Sequence, residues 1–510
     1  MGTEASQDPD VVVVGGGPNG LTAACVLARA GLGVRLLEAH PTRAGGAVGS
    51  EEATLPGFIH DVGAAFFPFG RLSPAFQELD LTAHGVAWNH ATYESCHPAP
   101  DGSYACIARD ASISAQHFGT PQDGQAWKSL ALWHAQHEHA ILGAILGPFP
   151  PLGAALSLFP GGLLKLAAMF TRSGRGLANS LFSSEAARRV LPGLALHVDA
   201  GPDDRMGAGL GYVLGLTATI GGYAVPTGGA GTIATALQSI LEKHGGTVQL
   251  GTRVKRVVLD HGRAVGVELE DGTHVRARLG VLANVAAPTL YLGMVDPAQV
   301  PMGVLDAMEK FPLGFGTFKM DWALSGPVPW RTPEAAQSAV VHAGDSVDDL
   351  ARFTAQVRAG QLPDHPYLVI GQQSLVDPTR APAGEHTLWA YSRVPSNIAG
   401  GWEAHRESFA DRVEARLEGL APGFKARIKA RRIMAPPDLE RMDANLLGGD
   451  IGGGSNAWHR QLLFRPVFPY FRYKTPVEGL WLCSSYAHPG AGVHGMCGYN
   501  AAKLFLRDVV

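Results

Sequence analysis

Residues 11–20 read VVVVGGGPNG, a run of four valines that leads directly into a cluster of glycines. We predict a strand over 10–14 that is buried on both faces, because a central parallel strand is apolar throughout and does not alternate. A helix of mainly small apolar residues is predicted over 21–30. Gly15, Gly17 and Gly20 fit the G-x-G-x-x-G spacing, in which a tight turn, the approach of a pyrophosphate and close helix packing each require glycine. The stretch therefore predicts a dinucleotide held at a helix N-terminus.

The second predicted strand, residues 34–37, indicates which dinucleotide is bound. It ends in Glu38, near the offset at which an acidic side chain accepts hydrogen bonds from ribose hydroxyls. A carboxylate at this place would repel a 2′-phosphate, so FAD or NAD is expected and NADP is not.

Composition and charge exclude several classes of protein. The net charge of −4 has mixed signs and gives no basic footprint, so no nucleic-acid partner is expected. Five cysteines without a C-x-x-C pair disfavour a disulfide framework, a zinc knuckle and a dithiol centre. The N-terminus lacks the regions of a signal peptide, and we interpret its myristoylation pattern at Gly2 and Ser6 as an accidental match. A cytoplasmic protein is expected, with peripheral membrane association left open.

The segment PTRAGGAVGS, residues 41–50, favours FAD over NAD. Its Arg43, Gly45 and Gly46 resemble the diglycine segment of the glutathione-reductase-type flavoprotein superfamily, which includes amine oxidases and carotenoid desaturases. The following segment FIHDVGAAFF is similar to the strand and loop found next in these proteins. The resemblance implies an α/β fold, with a Rossmann-type FAD-binding domain and a discontinuous α+β substrate domain.

A second glycine-rich segment begins at Tyr223 and contains Gly228 to Gly231. No buried strand precedes Gly228, so we interpret it as a poor second dinucleotide site. It resembles the returning segment of the superfamily, in which Val254 would lie against the adenine and residues 281–288 would end a strand near the cofactor.

The C-terminal run VEGLWLCSSYAHPGAGVHGMCGYN predicts a strand over 479–483, a glycine-rich turn and a helix from about residue 498. In the superfamily this segment reaches the flavin ring and the ribityl chain. The residues expected to contact FAD are Gly15, Gly17, Pro18, Asn19, Gly20, Glu38, Arg43, Gly45, Gly46, Val254, Ser485, Gly492 and Val493.

The same run indicates the family. Ser484 and Ser485 stand where amine oxidases usually carry an acidic residue, and H-P-G-x-G-V from His488 resembles phytoene desaturases and carotenoid isomerases. Two departures are Ser484, where that family has glycine, and residues 452–454, where it often has a glycine-histidine pair. Because histidine titrates near neutrality, His488 and His494 are candidates for proton transfer or flavin tuning, although the flavin is the main catalyst. Their alternative role is to hold the turn.

We therefore predict an FAD-dependent oxidoreductase that desaturates or isomerises a lipophilic, isoprenoid or polyene substrate. A flavin amine oxidase and a non-catalytic prenyl- or lipid-binding protein of the same fold are the alternatives. The predicted FAD-binding domain comprises residues 1–75, 223–295 and 470–510, and the predicted substrate domain comprises 76–222 and 296–469. The electron acceptor and a homo-oligomeric state are left open.

The predicted substrate domain contains a long apolar run. No charged residue occurs between Ala140 and Leu164, but four prolines in this run would break a membrane-spanning helix. The run therefore forms either an apolar helical cap of short core helices or the wall of a lipophilic tunnel that rests on a membrane. His134, His137 and His139 lie nearby, but a metal site needs a further fixed ligand, so no metal is predicted.

Overall fold

The computed structural model describes residues 8–510, so Gly2 and Ser6 lie outside the described residues. The valine run forms the middle strand of a five-stranded parallel sheet, and its side chains are 0–5% exposed. The strands of this sheet lie in the spatial order Leu480–Leu482, Gly280–Ala283, Val11–Val14, Val34–Leu37 and Thr247–Gln249. The all-apolar strand is buried on both faces, as the sequence predicted. Helices pack on the sheet, and the antiparallel strand Arg263–Leu269 contacts its strand Gly280–Ala283.

Three helices cover the parallel sheet: Pro18–Arg29, Gly231–Lys243 and Met496–Val509. The first and the last pack very closely, since a Cβ atom on Gly498 would lie 1.8 Å from the carbonyl oxygen of Asn19. Glycine is therefore required where the two helices meet.

A second sheet has seven strands and is mixed. Its strands lie in the order Ile428–Met434, Gly316–Leu324, His386–Val394, Leu368–Gly371, Ser338–Ala343, Tyr93–Cys96 and Cys106–Ile107. A three-stranded sheet is formed by Val254–Asp260, Arg263–Leu269 and His274–Arg276. Two pairs of short strands complete the sheets: Ser50–Glu51 pairs with His60–Asp61, and Trp88–Asn89 pairs with Val225–Pro226. One face of the mixed sheet joins the large core of the parallel sheet, and the other packs on a separate core.

The remaining α-helices lie mostly around the mixed sheet. They are Pro74–Leu79, Ala111–Gln116, Pro121–Leu146, Leu152–Leu158, Gly161–Phe170, Gly174–Leu181, Glu185–Arg188, Val190–Ala195, Gly207–Ala218, Ala287–Thr289, Met302–Glu309, Val347–Arg358, Gln373–Val376, Arg406–Leu420 and Pro436–Met442. The strands of the parallel sheet come from the three segments predicted for the FAD-binding domain. The predicted fold class is confirmed, while the predicted domain boundaries stay a prediction.

The apolar run is broken into short helices, as its prolines predicted. The helix Pro121–Leu146 ends before Pro148, and two short helices follow, Leu152–Leu158 and Gly161–Phe170. Among residues 8–510 no single helix is both long and apolar enough to cross a membrane. The two short helices together meet that length and composition criterion, but they are bent by 110°.

Candidate cofactor and substrate site

The first glycine turn connects the middle strand to the first helix. Gly15 has φ +90° and donates its N–H to Leu37 O at 2.8 Å, and a Cβ atom on Gly20 would lie 2.0 Å from Gly15 O. The helix has Gly17 as its N-cap and no side-chain cap. The buried amide oxygen of Asn19 has no partner among the described residues. Pro18 cannot donate a backbone hydrogen bond. The turn therefore presents an uncapped helix N-terminus, which favours a bound anion.

Glu38 is held against this turn by backbone hydrogen bonds. Its Oε2 accepts the N–H of Gly16 at 2.7 Å, and its Oε1 accepts the N–H of His40 at 2.7 Å. A carboxylate has about four acceptor positions, so each oxygen keeps capacity for a ribose hydroxyl. The half-buried side chain is fixed in the place that the sequence predicted for it.

The diglycine segment lies on the same turn. Gly45 donates its N–H to Gly16 O at 2.8 Å, and a Cβ atom on Gly46 would lie 3.3 Å from Gly17 Cα. Arg43 Nη1 donates to Gly46 O at 3.3 Å. The fold thus brings together two glycine clusters and a half-buried guanidinium, a combination suited to a pyrophosphate.

Sequence reasoning missed two asparagines that hold the turn in place. Asn284, the residue after the strand Gly280–Ala283, donates from Nδ2 to Gly15 O at 3.2 Å. Asn445 donates from Nδ2 to Asn284 O at 3.2 Å and accepts the N–H of Ala286 at 2.8 Å. The position of Asn284 at a strand end was a usable signal. Asn445 carried none, because its partners are about 160 residues away.

Asp443 also lies beside the turn and was not predicted. Its Oδ2 is 3.2 Å from the position that a Cβ on Gly46 would take. Burial, together with the nearby charge of Glu38, raises the pKa of this carboxyl, while Arg43 opposes the rise.

Val254 begins an antiparallel strand and is half-buried. Two residues earlier, Thr252 donates its N–H to Glu38 O at 2.7 Å. Val254 therefore lies two positions along the chain from a residue that bonds Glu38, and its contact with adenine stays a prediction.

The second glycine-rich segment differs from the first because side chains already bond its backbone. Its N–H groups donate from Gly228 to Asp377 (2.7 Å), from Ala230 to Asp61 (2.8 Å) and from Gly231 to Ser50 (3.1 Å). Arg380 bridges the two carboxylates, at 3.1 Å from Asp61 and 2.8 Å from Asp377, and these three side chains are 0–1% exposed. These contacts agree with the interpretation that this segment is a poor second dinucleotide site.

The C-terminal turn follows the edge strand of the parallel sheet. Cys483 donates its N–H to Ala283 O at 2.9 Å, so the turn starts next to Asn284. Ser485 and Val493 are half-buried, and Gly492 is exposed with φ +131°. Val493 has φ +30°, a backbone that β-branched residues rarely adopt, and such strain is often found at functional sites.

His488 and His494 both bond to the backbone. His488 Nε2 donates to Gly147 O at 3.0 Å, and His494 Nδ1 accepts the N–H of Met496 at 3.0 Å. Burial lowers the pKa of His488 to about 4 and that of His494 to about 3, so both are neutral at pH 7. These contacts hold the turn, and the catalytic role of either histidine stays a prediction.

A buried arginine, which the sequence did not single out, links the turn to the Gly452–Gly454 segment. Arg465 Nη2 donates to the carbonyl oxygens of Gly452 (2.8 Å), Gly453 (2.9 Å) and Ser485 (2.8 Å). Its Nε has no partner, and no ion pair to it occurs among the described residues. Burial lowers its pKa, but a guanidinium remains charged in proteins. A positive charge is therefore fixed beside Ser485.

The Gly452–Gly454 segment itself is folded around Asp450, a fully buried side chain. The carboxylate accepts the N–H groups of Gly452 at 2.6 Å, Gly454 at 2.8 Å and Gly314 at 2.8 Å. Where the family often has a glycine-histidine pair, this chain thus has a turn whose N–H groups bond Asp450 and whose carbonyl oxygens bond Arg465.

A cleft of about 480 Å³ is lined in part by Gly454 of this segment. Its lining consists of Asp306, Ala307, Lys310, Phe311, Pro312, Gly454, Ser455, Arg460, Phe464, Arg465, Pro466, Val467 and Phe468. A second apolar surface lies on the mixed sheet, where the rings of Phe66, Trp389 and Tyr391 follow one another at centroid distances of 5.7 and 5.5 Å. Aromatic and aliphatic side chains therefore line the cleft, and a separate row of aromatic rings packs on the mixed sheet.

The histidines of the long helix do not converge on one point. His134 is buried with Nδ1 2.8 Å from Tyr212 OH, and His137 Nδ1 donates to Trp133 O at 2.8 Å. The Nε2 of His134 is buried and has no partner among the described residues, and the interpretation of His134, His137 and His139 stays a prediction.

Comparisons with known proteins agree with this geometry. Residues 19–351 match the model of the family described as flavin containing amine oxidoreductase. The mouse (Mus musculus) pyridine nucleotide-disulfide oxidoreductase domain-containing protein 2 is 29% identical, over 98% of this chain and 94% of the relative. A limonene dehydrogenase polypeptide of Castellaniella defragrans is 24% identical, over 98% and 95%. Phytoene desaturase of Fusarium fujikuroi is 24% identical, over 95% and 86%.

Solved structures share the fold. An oxidoreductase from Methanosarcina mazei has a TM-score of 0.63 at 17% identity, over 98% of this chain and 100% of that chain. Putrescine oxidase bound to putrescine has a TM-score of 0.58 at 18% identity, over 98% and 99%. The family model covers well over half of the chain, and the uncapped helix, the diglycine segment and Glu38 fit a flavin dinucleotide. The chain therefore belongs to the flavin containing amine oxidoreductase family and is an FAD-dependent oxidoreductase.

Proposed function

We propose that the enzyme desaturates or isomerises a lipophilic substrate of the isoprenoid or polyene type. The observation that carries this proposal is the character of the cleft beside the C-terminal turn. Phe311, Phe464, Val467 and Phe468 line it, and its three cationic side chains outnumber its single carboxylate. An apolar hydrocarbon would gain from burial there, whereas an alkylammonium ion would be repelled. Limonene dehydrogenase and phytoene desaturase among the relatives support the same substrate class.

The chain's own residues would bind the cofactor and exclude water. The first glycine turn, Glu38 and Arg43 would hold the nucleotide half of FAD, and the C-terminal turn would hold the flavin half. Bound FAD supplies the two-electron acceptor for a hydride removed from a C–H bond. The apolar walls of the cleft keep water away from the reacting carbon atoms.

A desaturation also releases a proton, which needs an acceptor. His488 is neutral and uses Nε2 to donate to Gly147 O, so its Nδ1 carries the lone pair. We propose Nδ1 of His488 as the proton acceptor, with His494 holding the turn through Met496. A His488→Gln variant should keep FAD but lose most of the reduction rate, by about 10²-fold or more for a lost general base.

The test is anaerobic reduction of the bound FAD, which is monitored as the loss of its visible absorption. Isoprenoid hydrocarbons and polyenes in mixed micelles should reduce the flavin in the full chain if they are desaturated, or be recovered as isomers without net flavin reduction if they are isomerised, and amines should give neither result. Val467→Asp, which places a charge in the cleft wall, should slow the reduction about tenfold, since burying a charge costs at least that much. Unchanged FAD content would show that the variant is folded. Reduction by amines alone would overturn the proposal.

Oxidation of an amine is the second candidate. It is supported by the family match over residues 19–351 and by the row of Phe66, Trp389 and Tyr391, because aromatic faces attract ammonium ions. The absence of an acidic residue at Ser484 and Ser485 counts against it. The same reduction experiment separates the two candidates.

We also propose that the enzyme works in a reducing compartment such as the cytoplasm. All five cysteines are buried and unpaired. In an oxidising compartment a structural disulfide would be expected. Recovery of five free thiols from protein purified without reductant, under denaturing conditions, is the expected result.

A further inference from the structure

The two short helices after Pro148 expose an unusual amount of apolar side chain. We call residues 148–170 the apolar hairpin. Four of its side chains are each about 70% exposed: Leu152 68%, Leu156 76%, Phe159 72% and Leu164 71%. Exposed apolar residues on a soluble protein are usually scattered, so a cluster of this kind marks an interaction surface.

A second exposed apolar segment adjoins the hairpin. We call residues 457–471 the aromatic loop; its exposed members are Trp458, Leu462, Phe464 and Phe468, at 40–60%. The two segments touch, because Arg472 Nε donates to Phe149 O at 3.2 Å and the Phe149 and Phe471 rings are 6.5 Å apart. Together they form one surface, the apolar patch.

The charges on the apolar patch all have one sign. Residues 139–184 and 451–477 contain no Asp or Glu, although the whole chain has a net charge of −4. Lys165, Arg172, Arg460 and Arg472 are exposed and form no ion pair among residues 8–510. The segments that form the patch are therefore apolar at their centre and carry only basic charged side chains, and the lining of the adjoining cleft contains one carboxylate, Asp306.

We propose that the apolar patch docks the enzyme on a membrane surface that contains anionic phospholipid. Apolar side chains inserted at the level of the headgroups, with basic side chains at the lipid phosphates, form the usual arrangement of interfacial anchors. A second copy of the chain fits less well, because a two-fold interface would bring the same unpaired cations together. The two short helices are bent by 110° relative to each other, so they do not form one straight spanning helix.

The patch adjoins the cleft, because Phe464 and Phe468 belong to both. Arg465 also lines the cleft and bonds Ser485 O. On the other side His488 donates to Gly147 O, directly before the hairpin. The docking depends on this surface alone. Entry of the substrate from the bilayer through the cleft additionally rests on the proposed function.

Sedimentation with vesicles tests the docking with the FAD-loaded full chain. Vesicles of phosphatidylcholine and phosphatidylglycerol should sediment the enzyme, and vesicles of phosphatidylcholine alone should bind it more weakly. Salt at about 1 M, where the Debye length is about 3 Å, should remove the difference between the two. Absence of binding to the anionic vesicles would overturn the proposal.

Two double variants locate the surface. Leu156→Glu with Leu164→Glu should weaken binding to anionic vesicles about tenfold or more, because two apolar anchors are lost. Lys165→Glu with Arg472→Glu should remove the preference for anionic lipid. Ile113→Glu, a change at a 40% exposed apolar side chain outside the patch, is the matched control and should bind normally.

FAD content reports folding in every variant. Binding of the leucine double variant equal to that of the unchanged chain would overturn the proposal. If instead sedimentation velocity showed that the unchanged chain is a dimer and the double variant a monomer, the patch would be assigned to a second copy and the proposal would also be overturned. If no hydrocarbon reduces the FAD but vesicle binding follows this pattern, the proposed function fails and the docking surface stands.

Discussion

The chain contains two glycine-rich turns that look alike in sequence and differ in the partners of their N–H groups. The turn of residues 15–20 follows a buried strand and begins a helix without a side-chain cap. In the turn of residues 228–231, three N–H groups already donate to Asp377, Asp61 and Ser50. The first turn can bind an anion at its uncapped helix start, although Gly16 donates to Glu38, whereas these three donors of the second turn are already used by two carboxylates and a hydroxyl.

The difference between the two turns shows that glycine content alone does not identify a phosphate-binding site. A nucleotide turn needs backbone N–H groups that the protein leaves without strong internal acceptors. At the second turn Asp61 and Asp377 supply those acceptors, and Arg380 balances their charge. Changes at the two turns should therefore affect different quantities, affinity for FAD at the first and the free energy of unfolding at the second.

The largest effect is expected at the second turn. Asp377→Ala removes one carboxylate from a buried network and should lower the free energy of unfolding by about 3–5 kcal/mol. Denaturant unfolding of the FAD-loaded chain measures the loss. Asp260→Ala, at a 69% exposed side chain, is the control and should change little. A variant of normal stability that had lost FAD would reverse the assignment of the two turns.

Acidification should destabilise the C-terminal turn, which contains His488 and His494. His488 and His494 have pKa values of about 4 and 3 in the folded protein against 6.5 when unfolded, so the unfolded chain binds more protons below pH 6.5. Stability is thus complete above pH 6.5 and should fall by roughly 2 kcal/mol per histidine by about pH 5.

Unfolding by denaturant at a series of pH values measures this slope. His494→Gln should make the slope shallower between pH 6.5 and about pH 5, since one proton fewer is taken up on unfolding. An unchanged slope would show that this histidine is not buried in its neutral form.

Gly20→Ala should act on FAD affinity at the first turn. Its Cβ atom would lie 2.0 Å from Gly15 O, a backbone atom that cannot move freely. Overpacking of this kind costs about 1–3 kcal/mol, which would raise the dissociation constant of FAD about 10- to 100-fold. Fluorescence titration of the apoprotein measures the constant.

Gly303→Ala is the matched control for this substitution. It lies in the helix Met302–Glu309, where nothing is within 4 Å of the new methyl group. It should leave FAD affinity unchanged and stabilise the protein slightly, by up to about 1 kcal/mol. Equal affinities in the Gly20 and Gly303 variants would remove the first turn from the cofactor site.

The smallest effect is expected at Glu38. Glu38→Ala removes the carboxylate beside Gly16 and should weaken FAD binding about tenfold, the loss of roughly one charged hydrogen bond. Glu270→Ala, at a 64% exposed side chain, is its control. A fully loaded variant of normal stability would show that the ribose assignment is wrong.

Local pattern was sufficient to predict the elements around the first turn. The strand over 34–37 agrees with its prediction, and the strand predicted over 10–14 is observed as Val11–Val14. The helix begins at Pro18, three residues before the predicted start, because proline is favoured in the first turn of a helix. Contacts within one short segment decide these features, so the sequence reveals them.

The supports of the site could not be predicted in the same way. Arg465 bonds Ser485, Asn445 bonds Asn284, and Asp377 bonds Gly228, so each side chain acts on a segment that is distant in the chain. Only the folded packing brings such partners together. The histidines of the C-terminal turn were found by sequence, but their bonds to the backbone were visible only in the structure.

We infer that the first glycine turn is the one that binds a dinucleotide. The most direct test of this claim is the stoichiometry of binding, measured by titrating the flavin-free full chain with FAD and then with NADH. We expect one equivalent of FAD, lost in parallel with changes at Gly20 and Glu38, and no saturable binding of NADH. A second equivalent of dinucleotide that disappears on changing residues 228–231 would contradict the claim.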